Sequence, residues 1–360
     1  MQKKRILLTG GGSGGHVMPN LAIATALRSN CGANSRSNRG AHCGVKLLYV
    51  GSRVPLDRQL VEAADIPFKS IFAGKLRRYF SWRHFVDPFL VLIGFFQSFI
   101  ILIRFWPHVV FAKGGFVSLP VALAAFVLHR PIILHESDSM MGLSNRIVAR
   151  LAKKVCVAFP DVISQAEKVV FTGNPIRLSI RKGEARKGYQ LTGFHPHKPV
   201  LLVWGGSQGA QEINEMVERD FPRLKSTFQV VHVTGSGKPT AIQDESYISF
   251  EYLGPELKHI YAITDVVVGR SGANSLYELA LMQKPNILIP LKSAAHNHQQ
   301  LNAEYFERMG ASIVLRDQPL SDILLALWHS PDKQARMKEA LASVAKPDAA
   351  IHIAELILNI

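Results

Sequence analysis

Short apolar runs recur along this chain, each closed by glycine or small polar residues. The first, Ile6-Leu7-Leu8, enters Thr9-Gly10-Gly11-Gly12-Ser13-Gly14-Gly15-His16 and then Pro19-Asn20-Leu21-Ala22-Ile23-Ala24-Thr25-Ala26-Leu27, a stretch of helix composition. Runs of the same kind lie at 46–51, 108–112, 131–134, 154–158 and 169–171, and, beyond Gly173-Asn174-Pro175, at 199–204, 228–234, 265–269 and 285–290. Continuous apolar strands alternating with helices predict parallel sheets covered on both faces. The Gly-Asn-Pro turn is a natural boundary, and the pattern restarts after it. The reading is α/β: two doubly wound, Rossmann-like domains with a cleft between them, within the reach of a chain of 360 residues.

One run breaks the pattern by its length. Residues 89–103 are apolar apart from Gln97 and Ser98, 15 residues between Pro88 and Arg104. A spanning helix needs about 20, so length favours a buried core helix over an inserted segment. Just before it, Lys75-Leu76-Arg77-Arg78-Tyr79-Phe80-Ser81-Trp82-Arg83-His84-Phe85 interleaves cations with rings. That mixture suits docking on anionic lipid, and equally a solvated loop with part-buried rings. Nucleic acid would use the same residue types, but no nucleic-acid-binding motif accompanies them.

Charge sharpens the choice of partner. The formal net charge of +15 is concentrated in the first half: residues 1–175 hold 22 Lys and Arg against 8 Asp and Glu, and the remainder hold 20 against 19. A basic half beside a neutral one turns the first domain toward an anionic partner. Cys31, Cys43 and Cys156 are odd in number and show no metal spacing, which fits a reduced, cytoplasmic setting. Met1-Gln2-Lys3-Lys4-Arg5 leads into a short strand rather than a long apolar segment, so no secretory signal is expected.

The glycine loops set the chemistry. Gly10, Gly12 and Gly15 satisfy the dinucleotide fingerprint, which also needs an acid at the end of the second strand. That strand ends in Ser52-Arg53, so a nicotinamide cofactor is not expected. The second half carries a nucleotide kit instead. Helix starts after Gly205–Gly209 and Ser271-Gly272 suit phosphate oxygens, and Arg177 adds a fixed charge. Glu278 has a carboxylate for two ribose hydroxyls, or for plain stabilisation of a helix N-terminus. Gln299 offers an amide to a sugar hydroxyl, or a solvated helix position. With no Walker loop and no Asp-x-Asp, neither ATP-driven chemistry nor a required metal or other cofactor is expected.

Seven motifs then fall in one order: Gly-Gly-x-Gly-Gly-His at 11–16, Gly-Gly-Phe-Val-Ser at 114–118, His-Glu-Ser-Asp at 135–138, Gly-Asn-Pro-x-Arg at 173–177, Gly-Gly-Ser-Gln-Gly-Ala at 205–210, Arg-Ser-Gly-Ala at 270–273 with Glu278, and Asn-His-Gln-x-x-Asn at 297–302. In this the chain resembles the MurG family of GT-B glycosyltransferases over nearly its whole length. Phe116 stands where that family more often has Tyr, and the loop 31–44 is longer than usual.

The resemblance implies an inverting transfer of N-acetylglucosamine from UDP-N-acetylglucosamine to an undecaprenyl-linked muramoyl-pentapeptide, in peptidoglycan synthesis. It implies an acceptor- and membrane-facing domain over 1–175, a donor domain over 176–343, and a C-terminal helix of about 344–360 that packs back on the first. The implied donor residues are Ser13, Gly14, Gly15, Asp138, Arg177, Ser207, Leu253, Ala273, Asn274, Ser275, Leu276, Tyr277, Glu278 and Gln299. The implied acceptor residues are Gly114, Gly115, Phe116 and Asn145. The base expected for the acceptor hydroxyl is His16, whose ordinary pKa lies near neutrality, with Glu136 second. A helix start beside His16 would keep its imidazole neutral. A peripheral position on the cytoplasmic face of the cell membrane follows, with an anionic lipid surface and other cell-wall synthesis proteins as partners and no nucleic acid. The rivals are another GT-B transferase with a different acceptor, a UDP-N-acetylglucosamine 2-epimerase, and a non-catalytic membrane-associated sugar-nucleotide-binding protein.

Overall fold

A computed structural model describes residues 3–12, 14–33, 44–74, 87–162, 167–206, 209–291 and 297–360. The chain forms two compact units, one made of Met1–Arg177 with Lys346–Ile360 and the other of Leu178–Ala345. The basic-aromatic segment 75–85 and most of the loop 31–44 lie outside the described residues.

The first unit runs β1 (Lys4–Thr9), α1 (Gly14–Ala33), β2 (Val45–Gly51), α2 (Pro55–Glu62), β3 (Phe68–Ser70), α3 (Asp87–Phe105), β4 (Val109–Ala112), α4 (Ser118–Val127), β5 (Ile132–Glu136), α5 (Leu143–Leu151), β6 (Lys154–Val157) and β7 (Val169–Phe171). Its strands pair in parallel in the order β3-β2-β1-β4-β5-β6-β7. Both faces are buried, as the unbroken apolar strands require. Period-two alternation sends Ile6 and Leu8 to one core, and Leu7 to the other.

The second unit runs α6 (Ala185–Thr192), β8 (Val200–Trp204), α7 (Gln211–Leu224), β9 (Gln229–Val233), β10 (Tyr247–Phe250), α8 (Leu257–Ile263), β11 (Val266–Gly269), α9 (Ala273–Met282), β12 (Asn286–Leu288), α10 (His298–Arg308), β13 (Ile313–Val314), α11 (Leu320–Trp328) and α12 (Pro331–Val344). Its parallel sheet has the order β10-β9-β8-β11-β12-β13. The chain then returns to the first unit. There α13 (Ala349–Leu358) buries Ile353 and Ile357 in the same core as Ile23 and Leu27 of α1.

The apolar run 89–103 does not become the buried core helix that its length favours. It lies within α3, which packs on α4 through the narrow stripe Gly94, Ser98 and Leu102. At Gly94 the approach is so close that a Cβ would stand 2.0 Å from the Phe72 carbonyl oxygen. Val91, Phe95, Phe99 and Ile101 flank the stripe half-buried, and the opposite side of the helix faces outward. Phe89 is 66% exposed and Phe96 57%, and Leu92, Ile100 and Ile103 are exposed beside them.

A buried polar chain braces the second unit. Asn214 Nδ2 on α7 donates to the Thr234 carbonyl (3.1 Å), which leaves its Oδ1 to accept from His232 Nε2 (3.0 Å). His232 Nδ1 then accepts the Tyr247 hydroxyl proton (2.7 Å). Burial pulls the His232 pKa down to about 4, against a weaker upward pull from Glu218. Between pH 6.5 and 4 the unfolded chain therefore binds the extra proton, so stability is full above that window and is lost as pH falls through it. The loss expected is roughly 3 kcal/mol for the second unit. Unfolding followed by tryptophan fluorescence between pH 7.5 and 4.5 measures it, and His232→Gln should flatten this part of the pH dependence.

Candidate active site

In the first sheet the strand order reverses between β1 and β4, so the loops leaving these neighbours part and open a crevice at their carboxyl ends. The glycine loop after β1 forms one wall. Helix α1 begins at Gly14, earlier than Pro19, so His16 is its third residue rather than a residue ahead of it. Gly12, at φ 86°, lies under the Phe116 ring, where a Cβ would stand 2.4 Å from Cε1. Only glycine fits that position.

Three side chains fix this loop. Asp57, buried on α2, accepts the Gly12 amide (2.9 Å) and the Ser52 hydroxyl (2.5 Å) through Oδ2. Tyr49 donates its hydroxyl proton to the Gly10 carbonyl (3.1 Å) and accepts from Asn20 Nδ2 (3.0 Å). The acid sought at the end of the second strand thus stands a few residues later, bound to the glycine loop itself rather than aimed at a ribose.

The loops after β4 and β5 form the other wall. His16 Nε2 lies 3.2 Å from where a Cβ on Gly115 would stand, at φ 79°. Lys113, 1% exposed, donates to the Ser137 hydroxyl, and Ser137 donates to Asn174 Oδ1 (3.2 Å). His135 is buried with its Nε2–H on the Gly173 carbonyl (3.0 Å). Glu136, 4% exposed, accepts Asn145 Nδ2 on Oε2 (2.7 Å) and the Asp138 amide on Oε1 (3.1 Å). Asn145, expected on the acceptor, is therefore turned in to hold Glu136.

The protonation states follow from burial. Desolvation, then the Lys113 charge, pull His16 down to about 4, with Asp138 and Asp57 opposing. At pH 7 its imidazole is a neutral acceptor. Desolvation and the Asp138 charge push Glu136 up, while the bonds from Asn145 and the Asp138 amide and the Lys113 charge hold it back. Lys113 is lowered by burial and supported by Glu136 and Asp138.

The second unit presents its own loops at the ends of β8, β9, β11 and β12. Gly209, at φ 65°, packs against β9 so closely that a Cβ would meet the Thr234 carbonyl at 2.0 Å. Arg270 Nη1 donates to the Gly205 carbonyl (3.3 Å), joining the loops after β8 and β11. Ser271 donates to the Gln299 carbonyl (2.7 Å), and Asn302 Nδ2 donates back to the Ser271 carbonyl (3.2 Å). These two bonds tie the starts of α9 and α10 together. Ala273, Asn274 and Ser275 form the first turn of α9, where the macrodipole favours an anion. Gln299 Oε1 accepts the Leu291 amide (3.2 Å).

Glu278 is the sixth residue of α9, past the turn that a capping carboxylate serves, and its charge acts on Tyr261. Leu276 and Tyr277, both expected at the donor, are buried side chains. Leu276 is fully buried, and Tyr277 turns its ring onto Phe306 at 5.8 Å between centroids, so both anchor α9 to the core. Leu253 is buried as well. Arg177 is exposed at the last position of the first unit. Ser13 and Ser207 lie outside the described residues. Among the described residues no group of three His, Cys, Asp or Glu side chains is placed to hold a metal ion.

Lys113 and Asp57 are not among the residues that the sequence marks, and Asn174 is marked there only within its turn and motif. The available signal for Lys113 was a cation ending an otherwise apolar strand just before two glycines.

Comparison with known proteins places this geometry. The N-terminal domain of glycosyltransferase family 28 matches residues 6–157, and its C-terminal domain matches residues 200–353. The UDP-N-acetylglucosamine–N-acetylmuramyl-(pentapeptide) pyrophosphoryl-undecaprenol N-acetylglucosamine transferase of Lachnoclostridium phytofermentans is 43% identical over 98% of both chains. A transferase of the same name, numbered 2, from Bacillus anthracis is 41% identical over 88% of both. Among solved structures, Acinetobacter baumannii MurG superposes with a TM-score of 0.73 at 23% identity, covering 99% of this chain and all of that one. A UDP-GlcNAc 2-epimerase from Neisseria meningitidis reaches 0.69 at 13% identity, covering 99% of this chain and 100% of the other. The backbone alone is thus shared by transferases and epimerases, and sequence identity separates them.

Proposed function

The chain belongs to glycosyltransferase family 28 and, within it, to the MurG transferases, and from that premise we propose that it moves N-acetylglucosamine from UDP-N-acetylglucosamine to undecaprenyl-diphospho-N-acetylmuramoyl-pentapeptide. The end-to-end likeness to the named transferases carries this reading. The product is the β1→4-linked disaccharide lipid of peptidoglycan synthesis. The acceptor hydroxyl oxygen forms a bond to the anomeric carbon as the bond from that carbon to UDP breaks. The hydroxyl proton passes to a base, and the electron pair leaves with the diphosphate.

His16 is the base in this reading. Its neutral imidazole lies along Gly115, between the two glycine loops of the first unit. Glu136 is the second reading, favoured by the burial that raises its pKa. Gly114, Gly115 and Phe116 shape the acceptor side. Gly14, Gly15, Asp138 and Arg177 serve the donor diphosphate. The starts of α7 and α9, with Glu278 on the ribose and Gln299 on the sugar, hold the rest of the nucleotide sugar.

The outward face of α3 gives the lipid-linked acceptor its setting. Exposed Phe89, Leu92, Phe96, Ile100 and Ile103, in a half of strongly positive charge, support peripheral binding to anionic lipid on the cytoplasmic face of the membrane.

Four outcomes test the reading. UDP release should require a lipid I analogue. The acidic limb of the kcat profile should vanish in His16→Ala with UDP affinity near wild type, whereas its loss only in Glu136→Gln would make Glu136 the base. Glu278→Ala should weaken UDP binding by roughly 1.5–3 kcal/mol, the usual worth of a charged hydrogen bond, and unchanged affinity by calorimetry in a folded variant refutes that role. Finally, the protein should sediment with vesicles containing anionic phospholipid and be released by high salt. Phe96→Asp should weaken that binding several-fold, and an unchanged isotherm would exclude α3 as the docking face.

A further inference from the structure

Lys113 has no part in the reaction as described, yet it is the buried cation at the centre of the first crevice. It follows the last residue of β4, beside the switch point of the sheet, with its amide on the Thr9 carbonyl (2.9 Å). Its stem passes Gly10, where a Cβ would stand 3.2 Å from Lys113 Cβ. Its ammonium donates to Ser137, which donates on to Asn174. The loops after β1, β4, β5 and β7 thus all touch one side chain or its direct partner.

A buried ammonium is costly unless it is paired and hydrogen-bonded. The charges that face it are Glu136 and Asp138, from the end of β5 and the loop beyond. His135 lies on the same strand and His16 on α1, and the Lys113 charge acts on both. His16 is faced in turn by Asp138 and by Asp57 from α2. Glu136 is faced by Asp138 and Lys113.

We propose that Lys113 is the positioning residue of this crevice: through Ser137 it fixes the loops after β4, β5 and β7, and its ammonium is the buried charge against which His16 and Glu136 work. The proposal deepens the transferase reading, because a neutral His16 is the form that accepts a proton. Removing the cation removes a force that lowers both His16 and Glu136. Whichever of them is the base, its titration then moves toward higher pH.

The test follows the His16 ring directly. Side-chain carbon and proton shifts of histidine-labelled protein are titrated in wild type, Lys113→Met and Lys113→Arg, with His16→Gln assigning the signal. The His16 midpoint should rise by about one pH unit in Lys113→Met and stay near wild type in Lys113→Arg. The acidic limb of kcat should move up with it, while UDP affinity is unchanged. Ser137→Ala keeps the charge and cuts the tie, so kcat should fall at least several-fold with no movement of the limb. That variant decides the matter if Lys113→Met does not fold. An unmoved His16 midpoint in folded Lys113→Met, or wild-type kcat in Ser137→Ala, overturns the proposal. A wild-type protein that releases no UDP with a lipid I analogue refutes the transferase reading, while the ring titration still decides the role of Lys113.

Discussion

A parallel sheet delivers the carboxyl ends of all its strands to one edge, and the first unit depends on what that edge demands. The loops leaving β1, β4, β5 and β7 carry polar side chains into a space lined by the buried ends of β1, β4 and β5. Their polar groups must find each other there, because a buried donor or acceptor left alone costs about 1–3 kcal/mol. The pairs Asp57 with the Gly12 amide, Asn145 with Glu136, His135 with Gly173 and Ser137 with Asn174 are the answers to that demand. Each also ties two parts of the crevice together, a loop to a helix, a strand or another loop.

Low polarisability makes the same crevice electrically unusual. Water no longer screens the groups, so Lys113, Glu136, Asp138 and His16 act on one another through protein. Burial, then the Lys113 charge, makes the histidine beside the glycine loop neutral. The second unit works differently. Its loops are braced largely by bonds to backbone carbonyls, such as Ser271 to Gln299 and Arg270 to Gly205, which leaves helix starts and not buried charge to meet an anion.

The sequence makes the local features legible. Apolar runs closed by glycine locate the strands and their site-bearing ends, because both signals are written within a few residues. The motifs at 11–16, 114–118 and 135–138 meet in one crevice for the same reason. Pairings across many positions stay hidden. Nothing local to Asp57 tells that it reaches back 45 residues to Gly12, and nothing around Asn145 tells that it serves Glu136. Hydropathy misreads 89–103 because it reports what a helix prefers, not whether a neighbour covers it. Only Gly94, Ser98 and Leu102 of that run are fully covered, while Val91, Phe95, Phe99 and Ile101 are half-covered and the opposite side stays bare. Leu276 and Tyr277 adjoin a ligand motif in sequence, yet helical rotation turns them into the core.

The return of the chain to its first unit bears on synthesis. Ile353 and Ile357 complete a core begun by Ile6 and Leu8, and Lys4 Nζ donates to the Leu358 carbonyl. During translation the sheet containing β1 emerges early, but the face covered by α13 stays bare until residues past 349 have been made. The second unit, contiguous from Leu178 to Ala345, has every strand it needs before then. The nascent first unit therefore waits for the last helix of one of its two cores until synthesis is almost finished, and that face is incompletely covered until then.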